Sequence, residues 1–445
     1  MDGCNKRQEG STASRPPHVL VVSGVWPHTI KNREAANVVS HEITNALARS
    51  GRFELSYCVI NAHETNMPLN AEAEVNRLRD SGVRFLDPIM PPLIPASGET
   101  VLGKCIALIS GRPDKLIVGT DQHDRLVTAL GERLPDAVLV VWSEQAGYLV
   151  SQINCLRFNY AGNPDHKVLA ARTELREKLG SFSFLRMMRD KAIYTIVRLA
   201  HLKSMRRFDL VWNVAANDAQ DYMRSGVKAE YLQNMWPHVI SRSYLKQRDR
   251  LEQSSPLKIV GNVGNLSATG NSFGLLTLVE ELIPKLKVKL GEGNFEVHIF
   301  GGSSPHPSVE PLLDDPHIRV RGYVDDLDKE ILSAPVFLVA NNSRSFKVGH
   351  TRFLHAWSLG ACVVGFSDSS EAMPEVVDGK NALLGDTPED VANLIVIAAN
   401  NHYLRRQIAA GGVDTLKQFF SPQKVTATII REIESQIKNE KIGIR

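Results

Sequence analysis

At 445 residues the chain is too long for one compact domain, so two or three are expected. Its composition, 43% hydrophobic and 23% charged, can fill large cores and excludes a disordered or fibrous protein. A net charge of +3 is too small to argue for nucleic acid, the absence of any run of eighteen apolar residues excludes a predicted membrane span, and five scattered cysteines without CxxC exclude a zinc framework.

Residues 1–17 are polar and lack the apolar segment of a secretory signal, so they read as a flexible tail on a cytoplasmic protein. HVLVVSG (from His18) is an apolar strand, buried on both faces by its composition. WPHTIKNREAANVV leads into a helical pattern that ends at Gly51, and FELSYCVINA is the second strand. A charged helix around Ala71–Ser81, then VRFLDPI, KLIVGT and AVLVVWSE, continue an alternation that predicts a parallel sheet. Residues 163–207 are helical and rich in Lys and Arg, with apolar residues interleaved. Two readings are open for this stretch: a solvated helix face, or a patch for anionic lipid headgroups or an acidic acceptor. FDLVWNVA is a further strand. A polar, Ser-Ser-Pro-ended stretch at 241–256 then reads as a linker after a first domain at 18–240.

The second half repeats the design, with LKIVGNVGN, FEVHIFGG, IRVRGYV, VFLVA and CVVGF as strands of a second α/β domain at 257–420. A final helix within 421–445 is long enough to reach back over the first domain. The stretch from Asn341 to Leu384 carries the strongest functional signal. A strand there runs into a polar loop, Gly349 marks a turn, and Thr351 is the expected N-cap of a helix to about Leu359. A helix start favours carboxylates, yet its neighbours are Lys347, His350 and Arg352, with none of opposite charge between Asn341 and Gly365. Cations beside exposed N–H groups fit a bound phosphate; two solvated surface charges are the other reading. His355 lies one turn beyond Thr351, within reach of a ribose or phosphate, or alternatively is a backbone-satisfied buried histidine.

GNVGN is weak as a dinucleotide fingerprint but suits a turn where the backbone meets a phosphate, since Gly264 has no Cβ. In the first half, His28 and Glu34 follow the first strand and Glu144 follows AVLVVW, at the level that lines a cleft. Each is a candidate base for an acceptor hydroxyl, or a bystander. HExxH, GxxxxGK[ST] and GxSxG are absent, which sets aside zinc proteases, P-loop NTPases and α/β-hydrolases. The one DxD, Asp326–Asp328, reads as a solvated helix start, so no metal site is expected.

GHTRFLHAWSLGACVVGFSDSSEAMPEVVDGKNALLGD resembles the donor block of the GT-B glycosyltransferases, family 4 in particular. VGNVGNLSATG, FEVHIFGG and IRVRGYVDDLDKEILSAPVFLVANNS support the resemblance through most of the second domain, and FDLVWNVAANDAQDYMRSGVKAEYLQNMWP carries it more faintly into the first. It implies an α/β chain of two Rossmann-like domains facing a cleft, which moves a sugar from a nucleotide-diphosphate sugar to an acceptor hydroxyl. By match, Gly349, Thr351 and Arg352 meet the diphosphate with His350 beside them. Gly322, Tyr323 and Val324 lie beside the base, and Gly264 approaches the phosphates with Asn265 following it. The family's paired glutamates, eight residues apart, are here Lys347 and His355, and its Arg and Lys after the first donor-domain strand are replaced by Asn265 and Asn271. The implied chemistry is hexosyl transfer without metal or cofactor. Retention is preferred, because the leaving diphosphate can take the acceptor proton; inversion needs His28, Glu34 or Glu144 as base. The acceptor is a glycan, a lipid-linked molecule or a small molecule, and peripheral membrane contact would run through 163–207. The alternative is a non-catalytic GT-B-like protein that binds a nucleotide or another protein.

Overall fold

The computed structural model describes residues 15–29, 35–61, 66–90, 120–131, 133–150, 153–180, 184–237, 248, 256–347 and 350–443. Two parallel sheets organise the chain. In the first, β1 (His18–Ser23), β2 (Glu54–Val59), β3 (Val83–Phe85), β4 (Ala137–Val141), β5 (Leu156–Ala161), β6 (Leu210–Asn213) and β7 (Ala229–Tyr231) lie in the order β3-β2-β1-β4-β5-β6-β7. In the second, β8 (Leu257–Val263), β9 (Phe295–Phe300), β10 (Ile318–Gly322), β11 (Val336–Val339), β12 (Val363–Phe366) and β13 (Leu383–Gly385) lie in the order β10-β9-β8-β11-β12-β13. Each sheet reverses its winding once, between β1 and β4 and between β8 and β11. In open parallel sheets ligands bind outside the carboxyl ends of the strands at such reversals.

The apolar strand runs are covered on both faces. Val19 and Val21 point into one core of the first domain and Leu20 and Val22 into the other, all fully buried. Each such side chain contributes about 1.5–3 kcal/mol by leaving water, so a one-residue slip of register is strongly disfavoured. The helices that follow strands of the first sheet are α1 (Ala35–Ser50), α2 (Glu72–Asp80), α3 (Thr120–Leu130), α4 (Glu144–Val150), α5 (Asp165–Lys178), α6 (Phe184–Met205) and α7 (Ala216–Arg224). Around the second sheet run α8 (Thr269–Leu276), α9 (Ile283–Leu290), α10 (Leu327–Leu332), α11 (His350–Ser358), α12 (Ser369–Ala372), α13 (Pro388–Asn400) and α14 (His402–Phe419), and α15 (Pro422–Ile442) follows them. Although last in sequence, α15 places Val425, Ile429, Ile433 and Ile437 in the core of the first domain. Their i, i+4, i+8, i+12 spacing puts all four on one face.

Three strands fall outside the sequence reading. LRFNYA forms β5 because Phe158 and Tyr160 pack on one face while Asn159 is buried on the other, bonding Met205 Sδ at 3.4 Å. β7 and β13 are three residues each, too short for a periodic signal. The stretch KLIVGT lies outside the described residues except Thr120, which opens α3. Of the expected linker only Arg248 and Pro256 are described. Arg248 is buried and donates to the carbonyls of Leu359 (3.2 Å) and Ala334 (2.5 Å) of the second domain. Cys58 and Cys362 are buried thiols outside any disulfide, and burial pushes Cys58 up to about 12.

Candidate functional site

The carboxyl ends of β8, β9 and β10 are laced together through glycines. Gly264 turns the chain at φ +110°, and its N–H donates to the Phe300 carbonyl at 3.0 Å. Gly301 N–H donates to the Gly322 carbonyl at 2.9 Å, and Gly322 sits at φ +64°. A Cβ on Gly301 would lie 2.1 Å from the Gly264 carbonyl oxygen, so only glycine lets these strand ends approach so closely. Asn265 closes the loop that follows, accepting from the Ser267 N–H (3.0 Å) and the Ser303 hydroxyl (2.6 Å). Tyr323 is 56% exposed beside Gly322, while Val324 packs on the core around Phe353 and Trp357.

α11 opens at His350, one residue earlier than expected, so Thr351 lies inside the first helical turn and is not the N-cap. Gly349 lies outside the described residues. Phe353, Leu354, Ala356 and Trp357 anchor the helix, and the Trp357 indole N–H donates to the Asn381 carbonyl at 2.9 Å. This rigid seating aims Arg352 back across the switch point. Its Nε donates to the Val263 carbonyl at 3.2 Å, and its Nη2 donates to Asn271 Oδ1. Nη2 lies 3.8 Å from where a Cβ on Gly264 would stand. Buried Asn271 and Asn341 complete a polar network, with Asn341 Nδ2 donating to Asn271 Oδ1 at 2.9 Å and Asn262 Nδ2 to the Asn271 carbonyl at 3.2 Å. Among the described residues the partners of the Arg352 guanidinium, the Val263 carbonyl and the Asn271 amide, are neutral. Partial burial pushes that guanidinium down to about 10, the direction expected of a cation set among neutral groups.

Lys347 and His355 each meet a carboxylate. Lys347 Nζ lies 2.7 Å from Asp368, which also accepts from Asn342 at 2.7 Å. His355 Nε2 lies 2.7 Å from Asp328 Oδ1, and its ring stacks on Trp236 at 5.3 Å. Of the DxD, Asp326 caps α10 by accepting from the Lys329 N–H at 3.0 Å. Lys347 and His355 thus each find a carboxylate 21 and 27 residues away in sequence.

Between the two domains lies a cleft of about 820 Å³. Asn217, Gln220 and Arg224 of α7 line one wall, facing Lys347, Ser370 and Glu371 of the second domain. Lys167 stands at its base, and burial that would lower its ammonium is outweighed by Asp218 and Asp221, so it ends raised. Tyr231 and Gln233 both donate to Glu375 across the domains, at 2.8 and 2.9 Å. Burial, then Glu375, pushes the Tyr231 phenol above its ordinary range.

In the first domain His28 is buried in the loop after β1. The neighbouring Thr29 fixes that loop through its backbone N–H (2.5 Å) and hydroxyl (2.9 Å), both donating to Glu74. Glu144 opens α4 at the carboxyl end of β4, and Glu34 lies outside the described residues. Two residues before Glu144, Trp142 adopts φ +48°, the one left-handed non-glycine among the described residues. Such a conformation costs about 1–3 kcal/mol and clusters at functional turns. Sequence reasoning passed over Trp142, the buried Asn213, Asn262 and Asn341, and Asp368. A signal was present for the asparagines, which stand in or just after apolar strands at 213, 262 and 341.

Residues 257–401 match the family model of the glycosyl transferases group 1. HepE of Anabaena, solved in complex with UDP and glucose, has the same fold over 94% of this chain and 100% of its own, at 14% identity and a TM-score of 0.59. Sucrose-phosphate synthase of Thermosynechococcus elongatus aligns over 95% and 99% of the two chains, at 12% identity and TM-score 0.62. TarM of S. aureus aligns over 94% and 99%, at 9% identity and TM-score 0.57. No curated protein sequence matches the chain. The fold is GT-B, and residues 257–401 are similar to the group 1 glycosyl transferases.

Proposed function

We propose that this GT-B chain, whose second domain is similar to that of the group 1 glycosyl transferases, moves a hexosyl group from a nucleotide-diphosphate sugar to an acceptor hydroxyl with retention. The observation that carries the reading is Arg352, a half-buried cation with neutral partners beside a glycine turn and a helix start. A diphosphate there would gain the N–H groups of α11, the guanidinium and the open backbone at Gly264. The same groups stabilise the leaving diphosphate, so charge is met by side chain and helix start rather than by metal. Tyr323 would stack on the base. The acceptor would lie along α7 in the cleft, its hydroxyl proton leaving with the diphosphate.

A panel of nucleoside diphosphates and their sugars in a thermal-unfolding assay tests this. One member should stabilise the fold by about 3 kcal/mol at a hundredfold excess over its Kd; silence from the whole panel would overturn it. The second reading, a non-catalytic GT-B-like binder of a nucleotide or a protein, is favoured by the pairing of Lys347 and His355 to carboxylates where the resembled family has two glutamates. A stabilising nucleotide sugar that is never consumed would select it.

The acceptor class is a glycan, a lipid-linked molecule or a small molecule, reached from the cytoplasm at a membrane face. No helix among the described residues is long and apolar enough to cross a membrane. α6 nevertheless exposes Phe184, Leu185, Met188 and Leu199, the first three within one turn beside Arg186, Arg189 and Lys191. An apolar tip ringed by cations suits the interface of an anionic bilayer. The protein should co-sediment with anionic vesicles and not with neutral ones, and Leu185→Glu with Met188→Glu should cut binding about tenfold or more. Equal binding of the double variant would remove the membrane assignment.

A further inference from the structure

α5 follows β5 of the first sheet, yet its apolar face is buried in the second domain. Ala171 and Leu175 share a core with Phe273, Leu276 and Ile283, and the Lys178 ammonium stands 5.8 Å over the Phe273 ring. At the other end of the helix Lys167 bonds Asp218 (2.5 Å) and Asp221 of α7, in the first domain. Between these anchors Glu174 is 7% exposed. Its Oε1 accepts from the Arg344 backbone N–H at 3.2 Å and its Oε2 from the Ser345 N–H at 3.3 Å, while Arg344 Nε lies 3.6 Å from the same carboxylate. Both amides belong to the loop 341–347, which connects β11 to the start of α11 and ends on Lys347 at the cleft wall.

A helix that only covered apolar surface would carry an apolar residue at position 174, because an enclosed carboxylate is costly unless its oxygens are satisfied. Here satisfaction comes from two consecutive N–H groups of the other domain, reached 170 and 171 residues along the chain. Two charge-assisted bonds to adjacent amides fix the conformation of that loop as well as its distance from α5.

We propose that α5 is a strut between the domains and that Glu174 is a positioning residue, holding loop 341–347 and thereby the cleft wall and the approach to Arg352. The consequence for catalysis rests on the glycosyltransferase reading; the mechanical role does not. Hydrogen exchange of the peptide spanning 341–347 tests the strut directly. In Glu174→Ala those amides should exchange about tenfold faster or more, while peptides of β8 and β9 keep wild-type protection. Glu174→Gln keeps the volume and one acceptor oxygen, so it should fall between, and it supplies the same readout should the alanine variant not fold. UDP, GDP and ADP titrated calorimetrically give the functional arm: the diphosphate bound by wild type should bind Glu174→Ala about tenfold more weakly. Unchanged exchange across 341–347 in either folded variant overturns the strut. If wild type binds none of the three while exchange responds as expected, the glycosyltransferase reading falls and the strut stands.

Discussion

Arg352→Ala should lose at least about a hundredfold in affinity for the nucleoside diphosphate, roughly 3 kcal/mol, with a comparable loss in kcat/KM. It should do so without destabilising the unliganded fold. The guanidinium is half-buried beside a carbonyl and an amide oxygen, so in the unliganded protein it carries a desolvation cost that neither neutral partner offsets. Removing it relieves that cost, and Asn271 Oδ1 keeps the bond from Asn341. The variant should therefore melt at or slightly above the wild-type temperature and no longer respond to nucleotide. That combination separates a binding residue from a structural one. A variant that melts several degrees lower yet still binds nucleotide would place Arg352 in the scaffold.

The second large effect concerns a residue that touches no substrate in this account. Gly301→Ala would put its Cβ 2.1 Å from the Gly264 carbonyl and 2.7 Å from Leu266 Cγ. Backbone oxygen cannot swing aside as a long side chain can, so β8 and β9 must part at their carboxyl ends. Overpacking of this kind costs about 1–3 kcal/mol, a fall of roughly 3–10 °C in melting temperature. Gly264 moves with the strand end, so diphosphate affinity should drop as well. Gly302→Ala is the internal control, because a Cβ there meets nothing within 4 Å. It should behave as wild type in both assays. Equal behaviour of the two alanine variants would mean that the glycine lacing does not shape the site.

The two-sheet architecture was legible because strands buried on both faces read as unbroken apolar runs, as HVLVVS and AVLVV do. β5 was not, since Arg157 and Asn159 interrupt its run, and only the structure shows Asn159 enclosed against Met205. The site was legible as a charge pattern and not as a set of pairings. Lys347 and Arg352 look alike in sequence, five residues apart beside one helix start. Folding sends one to Asp368, beyond β12, and the other under the β8 turn to neutral partners. His355 could be placed one turn beyond Thr351, but Asp328 and the Trp236 ring arrive from other elements. Glu174 carried no local signal at all, because its partners are backbone amides of the other domain.

The central claim is that a pyrophosphate meets Arg352, and a ladder of ligands measures it most directly. Calorimetric affinities of the nucleoside, its monophosphate and its diphosphate should rise stepwise on the wild-type protein, with the diphosphate about a hundredfold tighter than the nucleoside. On Arg352→Ala the three should converge. A ladder of the same steepness on both proteins would contradict the account, because the phosphates would then be held elsewhere.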